Sequence, residues 1–251
     1  MTLLAVERIK LFSTRSPWWC LALTAVLMLG LSALIAGLAS TAELSLATSL
    51  AGRGFALMVL LVMAAIAITN EYRFGTIRAT FTAVPNRTAV LLAKTVVVAL
   101  VVGIAGEVLA LGAYGIPQLI EPNADLVANT SDEWRFVLGI GPVYALSAVI
   151  AIAVGVLVRQ TAAAISILLV WVLLVENLVV LIPRVGDDIR SWMPWVASDH
   201  FLTAGTGVPG GEGGGFPGEL PYGPWGGLAY FAGIAVALLV IALVVAERRD
   251  A

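Results

Sequence analysis

The sequence predicts an all-α integral membrane protein: six transmembrane helices, an amphipathic N-terminal helix and a short helix between the second and third spans. Three observations carry that prediction. Of the 251 residues, 60% are hydrophobic and 12% charged, with a mean hydropathy of +1.00, against roughly 25% charged in an ordinary soluble domain. Six runs are long enough to cross a hydrocarbon core of about 30 Å, which takes roughly 20 apolar residues. Those runs are apolar on every face, whereas the strands of a membrane barrel alternate in polarity.

The chain opens with residues 1–16, where Leu4, Val6, Ile9 and Phe12 stand against Glu7, Arg8 and Lys10. This rough amphipathic pattern predicts an interfacial helix with its cations toward lipid headgroups. The first span is placed at 17–39. Basic residues precede it and Ala36-Gly37-Leu38-Ala39 imitates a cleavage site, but its apolar run exceeds that of a signal peptide, so it reads as a retained helix. The second span, 54–69, is short unless it begins near Leu46, and the remaining spans fall at 95–115, 136–158, 161–183 and 227–246.

Basic residues set the direction. With both termini in the cytoplasm, ten lie inside (Arg8, Lys10, Arg15, Arg73, Arg78, Arg87, Lys94, Arg159, Arg248 and Arg249) and four outside (Arg53, Arg135, Arg184 and Arg190). That is a positive-inside bias, and the expected location is the inner (plasma) membrane. The outer loops hold acids such as Glu121, Asp125, Asp132, Asp187 and Asp188. The longest, 184–226, begins with an interfacial helix over 187–202, rich in Ile189, Trp192, Met193 and Trp195. It ends in GTGVPGGEGGGFPGELPYGPWGG, whose eleven glycines and four prolines predict a flexible outer loop, a tether in the plain reading and a lid in the functional one.

The segment 70–94, NEYRFGTIRATFTAVPNRTAVLLAK, carries Arg73, Arg78, Arg87 and Lys94 with Glu71 as its one acid. Thr69 or Asn70 can cap a helix with Glu71 in its first turn. Pro85 disfavours helical backbone at Val84 and ends it. A new helix starting near Asn86 or Arg87 runs on into the third span. The plain reading is a basic loop that enforces topology. The other is a short cytoplasmic helix mounted on two rigid membrane helices, a geometry suited to transmitting a push. Gly75 marks either close backbone approach or a bend.

Two acids fall inside spans, Glu107 and Glu176. A mid-bilayer carboxylate costs on the order of 2.5–3.5 kcal/mol, so each should face protein or water. Each is either hydrogen-bonded to a neighbouring helix or set along a translocation path. For Glu107 the neighbouring Gly103, Gly106 and Gly112 favour burial by tight packing. Lys94 is expected to snorkel to the headgroups, His200 to be an ordinary interfacial histidine, and Cys20 a small packing residue.

One cysteine and one histidine exclude an internal disulfide and a multi-histidine zinc site. No GxxxxGK[ST] loop is present, so any nucleotide-driven step belongs to another chain. The net charge of −2 says nothing about nucleic acid or acidic partners, so the placement of the charges along the chain is what informs, and no nucleic acid partner is expected.

The order Glu71-x-x-x-Gly75-Thr76, Pro85-x-Arg87 and Lys94 resembles the coupling-helix region of ABC-2 type transporter permeases. Glu7-x-x-Lys10-Leu11-x-Ser13-Thr14-Arg15-Ser16 before Trp18-Trp19 looks like the amphipathic helix and first span of actinobacterial members. Arg159-x-Thr161-Ala162-Ala163-Ala164 looks like their turn between spans four and five, and the stretch from Trp171 to Glu176 like their fifth span. The Gly-rich outer loop departs from the family pattern. The resemblance implies the transmembrane half of an exporter and no catalysis on this chain. It also implies a dimer with the same or a related permease, and two separate ATPase subunits that carry ATP and magnesium. Glu71, Arg73, Gly75, Thr76 and Arg78 would then contact the ATPase or shape the coupling helix. A lipid-like or drug-like cargo suits the spans, but these have to be apolar in any bilayer.

Two other classes compete. An ion-coupled secondary transporter would use Glu107 and Glu176 as ion or proton sites, and would show inverted repeats with broken helices, which are not evident. An intramembrane enzyme would need paired ionisable groups at one depth, and here the two glutamates are isolated.

Overall fold

The computed structural model describes residues 3–41, 43–84, 86–124, 126–206 and 220–249, among which there are helices and no strand. Among the described residues, six helical segments are long and apolar enough to cross a membrane: Arg15–Leu38, Leu46–Arg73, Arg87–Ile120, Ser131–Val158, Thr161–Leu181 and Pro224–Arg249. The protein is a multi-pass membrane protein. We number these the first to sixth spans.

All but the fifth, which keeps its expected start at Thr161 and ends two residues early, outrun or shift the stretch expected from hydropathy, because a helix continues until something stops its hydrogen-bond ladder. The second span does begin at Leu46. Ser45 and Thr48 exchange reciprocal cap bonds there, and after a turn the main helix runs Arg53–Arg73. The third helix has 34 residues, about 50 Å at 1.5 Å per residue, so well over a turn at its ends projects past a core of about 30 Å. The fourth span starts at Ser131, where Thr130 and Glu133 form a second capping box, and passes Gly139 into Ile140–Val158. The fifth contains one wide π-helical turn, Trp171–Val175.

The fourth span is the hub, packed against the second, third and sixth. Its Tyr144, Phe136, Ile140 and Ile152 are fully buried. Glycine makes the closest approach possible. A Cβ at Gly106 would sit 2.4 Å from the Tyr144 ring, and one at Gly141 would sit 2.9 Å from the Gly103 carbonyl oxygen. The first, fifth and sixth spans lie outermost, with Trp18, Trp19, Val26, Leu173, Leu174, Val236 and Val240 exposed. Such large side chains on an outer surface fit lipid rather than water.

Two ends can be distinguished. The proximal end holds the N-terminal helix Leu3–Ser13, the start of the third span and the end of the sixth. There Thr88 donates to Glu247, and the Arg249 guanidinium lies 3.4 Å from the Leu157 carbonyl. The distal end holds two short helices, Gly186–Ser191 and Pro194–Thr203. The second was expected to lie at the interface. Instead Trp195, Val196, Ala197, Phe201 and Leu202 are buried and the helix packs on the sixth span. Of the apolar residues assigned to a lipid surface, Trp195 thus serves an internal contact, while Ile189 and Trp192 stay exposed. The sixth span begins at Pro224, within the run expected to lack regular structure. Most of that Gly-rich run, residues 207–219, lies outside the described residues, as do Pro85 and Asp125.

Candidate functional site

The second span does not give way to a new helix at Thr69 or Asn70 as the polar residues suggested. Thr69 stays helical and returns its hydroxyl to the Ala65 carbonyl, 2.8 Å away. The helix runs through Glu71 to Arg73, and Gly75 then turns left-handed at φ +69°. A side chain at Gly75 would meet nothing within 4 Å. Of the two readings of Gly75, the bend is the one observed, and it is conformational rather than a matter of space. A bridging helix follows, Thr76–Ala83. It ends where Val84 turns extended, and Asn86 then caps the third span by accepting from the Ala89 amide at 3.0 Å.

This geometry makes Glu71 the last turn of the second span, facing inward. Lys94, expected to reach for headgroups, is only 4% exposed. Its ammonium lies 2.5 Å from Glu7 and 2.9 Å from Glu71. Lys10 bonds Glu7 at 2.9 Å, sits 3.5 Å from Glu71 and donates to Thr80 of the bridging helix at 3.1 Å. Four charges that sum to zero thus join the N-terminal helix, the second and third spans and the bridging helix. A snorkelling lysine needs no partner, but one held near two buried carboxylates stabilises its charge better by pairing. Burial pulls the Lys10 ammonium down, yet the Glu7 hydrogen bond and the charges of Glu71 and Glu7 outweigh it, so its pKa lies above the ordinary value.

The residues expected to act at the bridging helix therefore divide. Glu71 is committed internally. Arg73, Gly75 and Thr76 are exposed. The Arg73 guanidinium lies 5.5 Å over the Phe74 ring, and Phe74 is itself 69% exposed. Thr76 reaches back to the Glu71 carbonyl at 3.5 Å. Ile77 anchors the helix, buried, while the side chain of Arg78 lies outside the described residues. Glu7 and Lys10 were read from sequence only as the polar side of an amphipathic helix. An acid and a base three residues apart on a helix meant to face anionic headgroups was the available hint.

No protein-family model matches this chain, and no curated protein does. Its reading rests on the residues themselves.

The two intramembrane acids are far from this cluster in the contacts they make. Glu107 accepts from the Gly141 amide at 2.9 Å, at the glycine-lined contact between the third and fourth spans. Its other oxygen, Oε1, is buried without a hydrogen-bond partner. Glu176, 4% exposed, leaves the π-helical turn aimed at the N-terminus of Pro194–Thr203. It accepts from the Trp195 and Val196 amides at 3.1 and 3.0 Å and from the Trp171 indole at 3.1 Å. A carboxylate there meets the free amides and positive end of a helix. Nearby, Arg53 pairs with Asp199 at 2.7 Å, tying the start of the second span's main helix to the same short helix. His200 lies 3.2 Å from the Tyr222 carbonyl. Burial lowers its pKa, with the Arg135 charge adding to that and the Tyr222 and Asp199 contacts opposing it. Among the described residues no three His, Cys, Asp or Glu side chains group to hold a metal.

Proposed function

We propose that this chain is the membrane-spanning permease subunit of an ABC-2 type exporter, driven by ATP and magnesium held on a separate ATPase. The observation that supports this best is the bridging helix Thr76–Ala83. It hangs between two long spans on a left-handed glycine, presents Thr76 outward beside Arg73 and Phe74 at the end of the second span, and connects through Lys10 to the N-terminal helix and the second span. A push on that exposed surface reaches the second and third spans together, as a switch between inward-open and outward-open states requires. In this reading both termini are cytoplasmic, the membrane is the plasma membrane, and a second permease chain completes the dimer. Of the residues expected to touch the ATPase, Arg73 and Thr76, with Phe74, form the contact, while Gly75 shapes it and Glu71 holds it from within. Co-purification with the ATPase encoded beside this chain tests the reading. Association that is lost in Phe74→Asp and Arg73→Glu is the expected result, and a complete lack of association in the unsubstituted pair would refute it.

A second reading, an ion-coupled transporter, is favoured by one observation, the unpartnered Oε1 of Glu107. It requires transport in proteoliposomes on an ion gradient alone, and loss of that transport in Glu107→Gln.

A further inference from the structure

The last part of the fifth span is not a regular α-helix. The π turn Trp171–Val175 is followed by three α-helical residues, Glu176–Leu178, and then by a 3₁₀ turn, Val179–Leu181. The first of these turns is wider than an α-helical turn, by about one residue, and the second is tighter.

The extra residue sets what Glu176 can reach. At 3.6 residues per turn, positions five apart on an α-helix point about 140° apart, and positions four apart only about 40°. Trp171 and Glu176 are five apart, yet the Glu176 amide donates to the Trp171 carbonyl and the Trp171 indole donates to the Glu176 carboxylate at 3.1 Å. The widened turn is what brings both to one face. From that face the carboxylate accepts from the Trp195 and Val196 amides at 3.1 and 3.0 Å, and so holds the N-terminal end of helix Pro194–Thr203. The rest of that helix is held by other spans. Arg53 pairs with Asp199 at 2.7 Å, and Arg135 donates to the Phe201 carbonyl at 2.6 Å and to that of Ala204. In an uninterrupted α-helix the residue four from Trp171 is Val175, whose side chain has no acceptor.

We propose that the π turn and Glu176 form a two-position latch on the short distal helix. In the observed position the carboxylate docks the N-terminal end of that helix. In the other, the extra residue passes Glu176 and enters the 3₁₀ turn, so that the wide and the tight turn cancel. Glu176 then swings about 100° off its face, and Val175 takes its place. The span before Trp171 and the chain after Leu181 stay where they are. Helical register shifts of this kind take microseconds to milliseconds. Once released, helix Pro194–Thr203 turns about its Arg53 and Arg135 anchors and draws Trp195 from Phe231 of the sixth span, where the rings now lie 5.8 Å apart. The latch needs only the fold, whichever transport reading holds.

Hydrogen exchange at the Trp195 and Val196 amides, followed in the full chain in detergent, reads the latch. Glu176→Gln removes the charged acceptor and should speed exchange about tenfold or more, as the loss of a hydrogen bond to a charged group does. Deleting Leu174, which is 50% exposed, leaves Trp171 and Glu176 four apart in a plain α-helix, with the carboxylate on its face and no second register. Exchange at both amides should then fall about tenfold or more below the native rate, because opening has to break the charged bonds with no new register to enter. Native exchange in either folded variant overturns the latch, and in the deletion it would make Glu176 a fixed cap. If the deletion prevents folding, Val175→Cys with Val196→Cys decides, in a Cys20→Ser chain. Oxidation should join the two cysteines as Val175 turns toward the short helix, and absence of the disulfide overturns the second position.

Discussion

Replacing Lys94 with methionine keeps the length and apolar stem of the side chain and removes one charge from a balanced set. Its ammonium lies 2.5 Å from Glu7 and 2.9 Å from Glu71, with side-chain exposures of 5%, 2% and 12% for the three. After the change, two carboxylates share Lys10, which is 34% exposed and 3.5 Å from Glu71, so the cluster carries one net negative charge. Removing one partner of a buried pair costs about 3–5 kcal/mol. At about 2–4 °C per kcal/mol for a chain of this size, the melting temperature in detergent should fall by roughly 6–20 °C. Tryptophan fluorescence during a thermal scan reads this directly. Adding Glu7→Gln to Lys94→Met restores charge balance and should recover part of the loss, with a coupling of about 0.5–3 kcal/mol. If Lys94→Met costs less than about 1 kcal/mol, the range of an exposed pair, and Glu7→Gln brings nothing back, the lysine lives at the bilayer surface and the cluster as described is wrong.

Gly106→Ala should lower the melting temperature by an amount matching about 1–3 kcal/mol of overpacking, since its Cβ would sit 2.4 Å from the Tyr144 ring. Tyr144 is held by its bond to the Arg53 carbonyl. Gly112→Ala, whose Cβ would meet only the tip of Leu29 at 2.9 Å, should cost less in the same scan. Glu176→Gln puts an amide donor among the amides of Trp195 and Val196, and the same scan should register about 1.5–3 kcal/mol for the lost charged bonds. The pKa of Lys10 is raised above 10.5, so the ion pairs it makes contribute stability that is complete below pH 10.5 and lost as pH rises through the higher folded value. The melting temperature read by tryptophan fluorescence should fall above that pH in the native chain, and the fall should be smaller in Lys10→Met.

The six spans were legible because length and hydropathy are local properties, and the bilayer demands them of each helix separately. The earlier start of the second span at Leu46 was legible for the same reason. The break at Gly75 was half legible. Sequence marked the glycine, but polar Thr69 and Asn70 drew the helix start forward, although polarity alone does not end a helix and a left-handed residue does. Lys94 was misjudged because its partners come from Glu7 and Glu71, and no local pattern reports that three separate helices will bring them together. Glu176 posed the same difficulty in another form, since its role depends on a short helix that packs inward. That helix looked interfacial because its apolar residues are the kind a bilayer surface would also accept.

The ionic cluster also constrains the order of assembly. Glu7 leaves the ribosome first, while Lys94 arrives only with the third span, so the N-terminal helix cannot seat its acid where it finally lies until three spans have been inserted. Until then Glu7 has only Lys10 of its own helix as a partner, and that charged pair keeps the helix in water or among headgroups. Its docking is therefore a late event in biogenesis, one that reports that the first half of the bundle has come together.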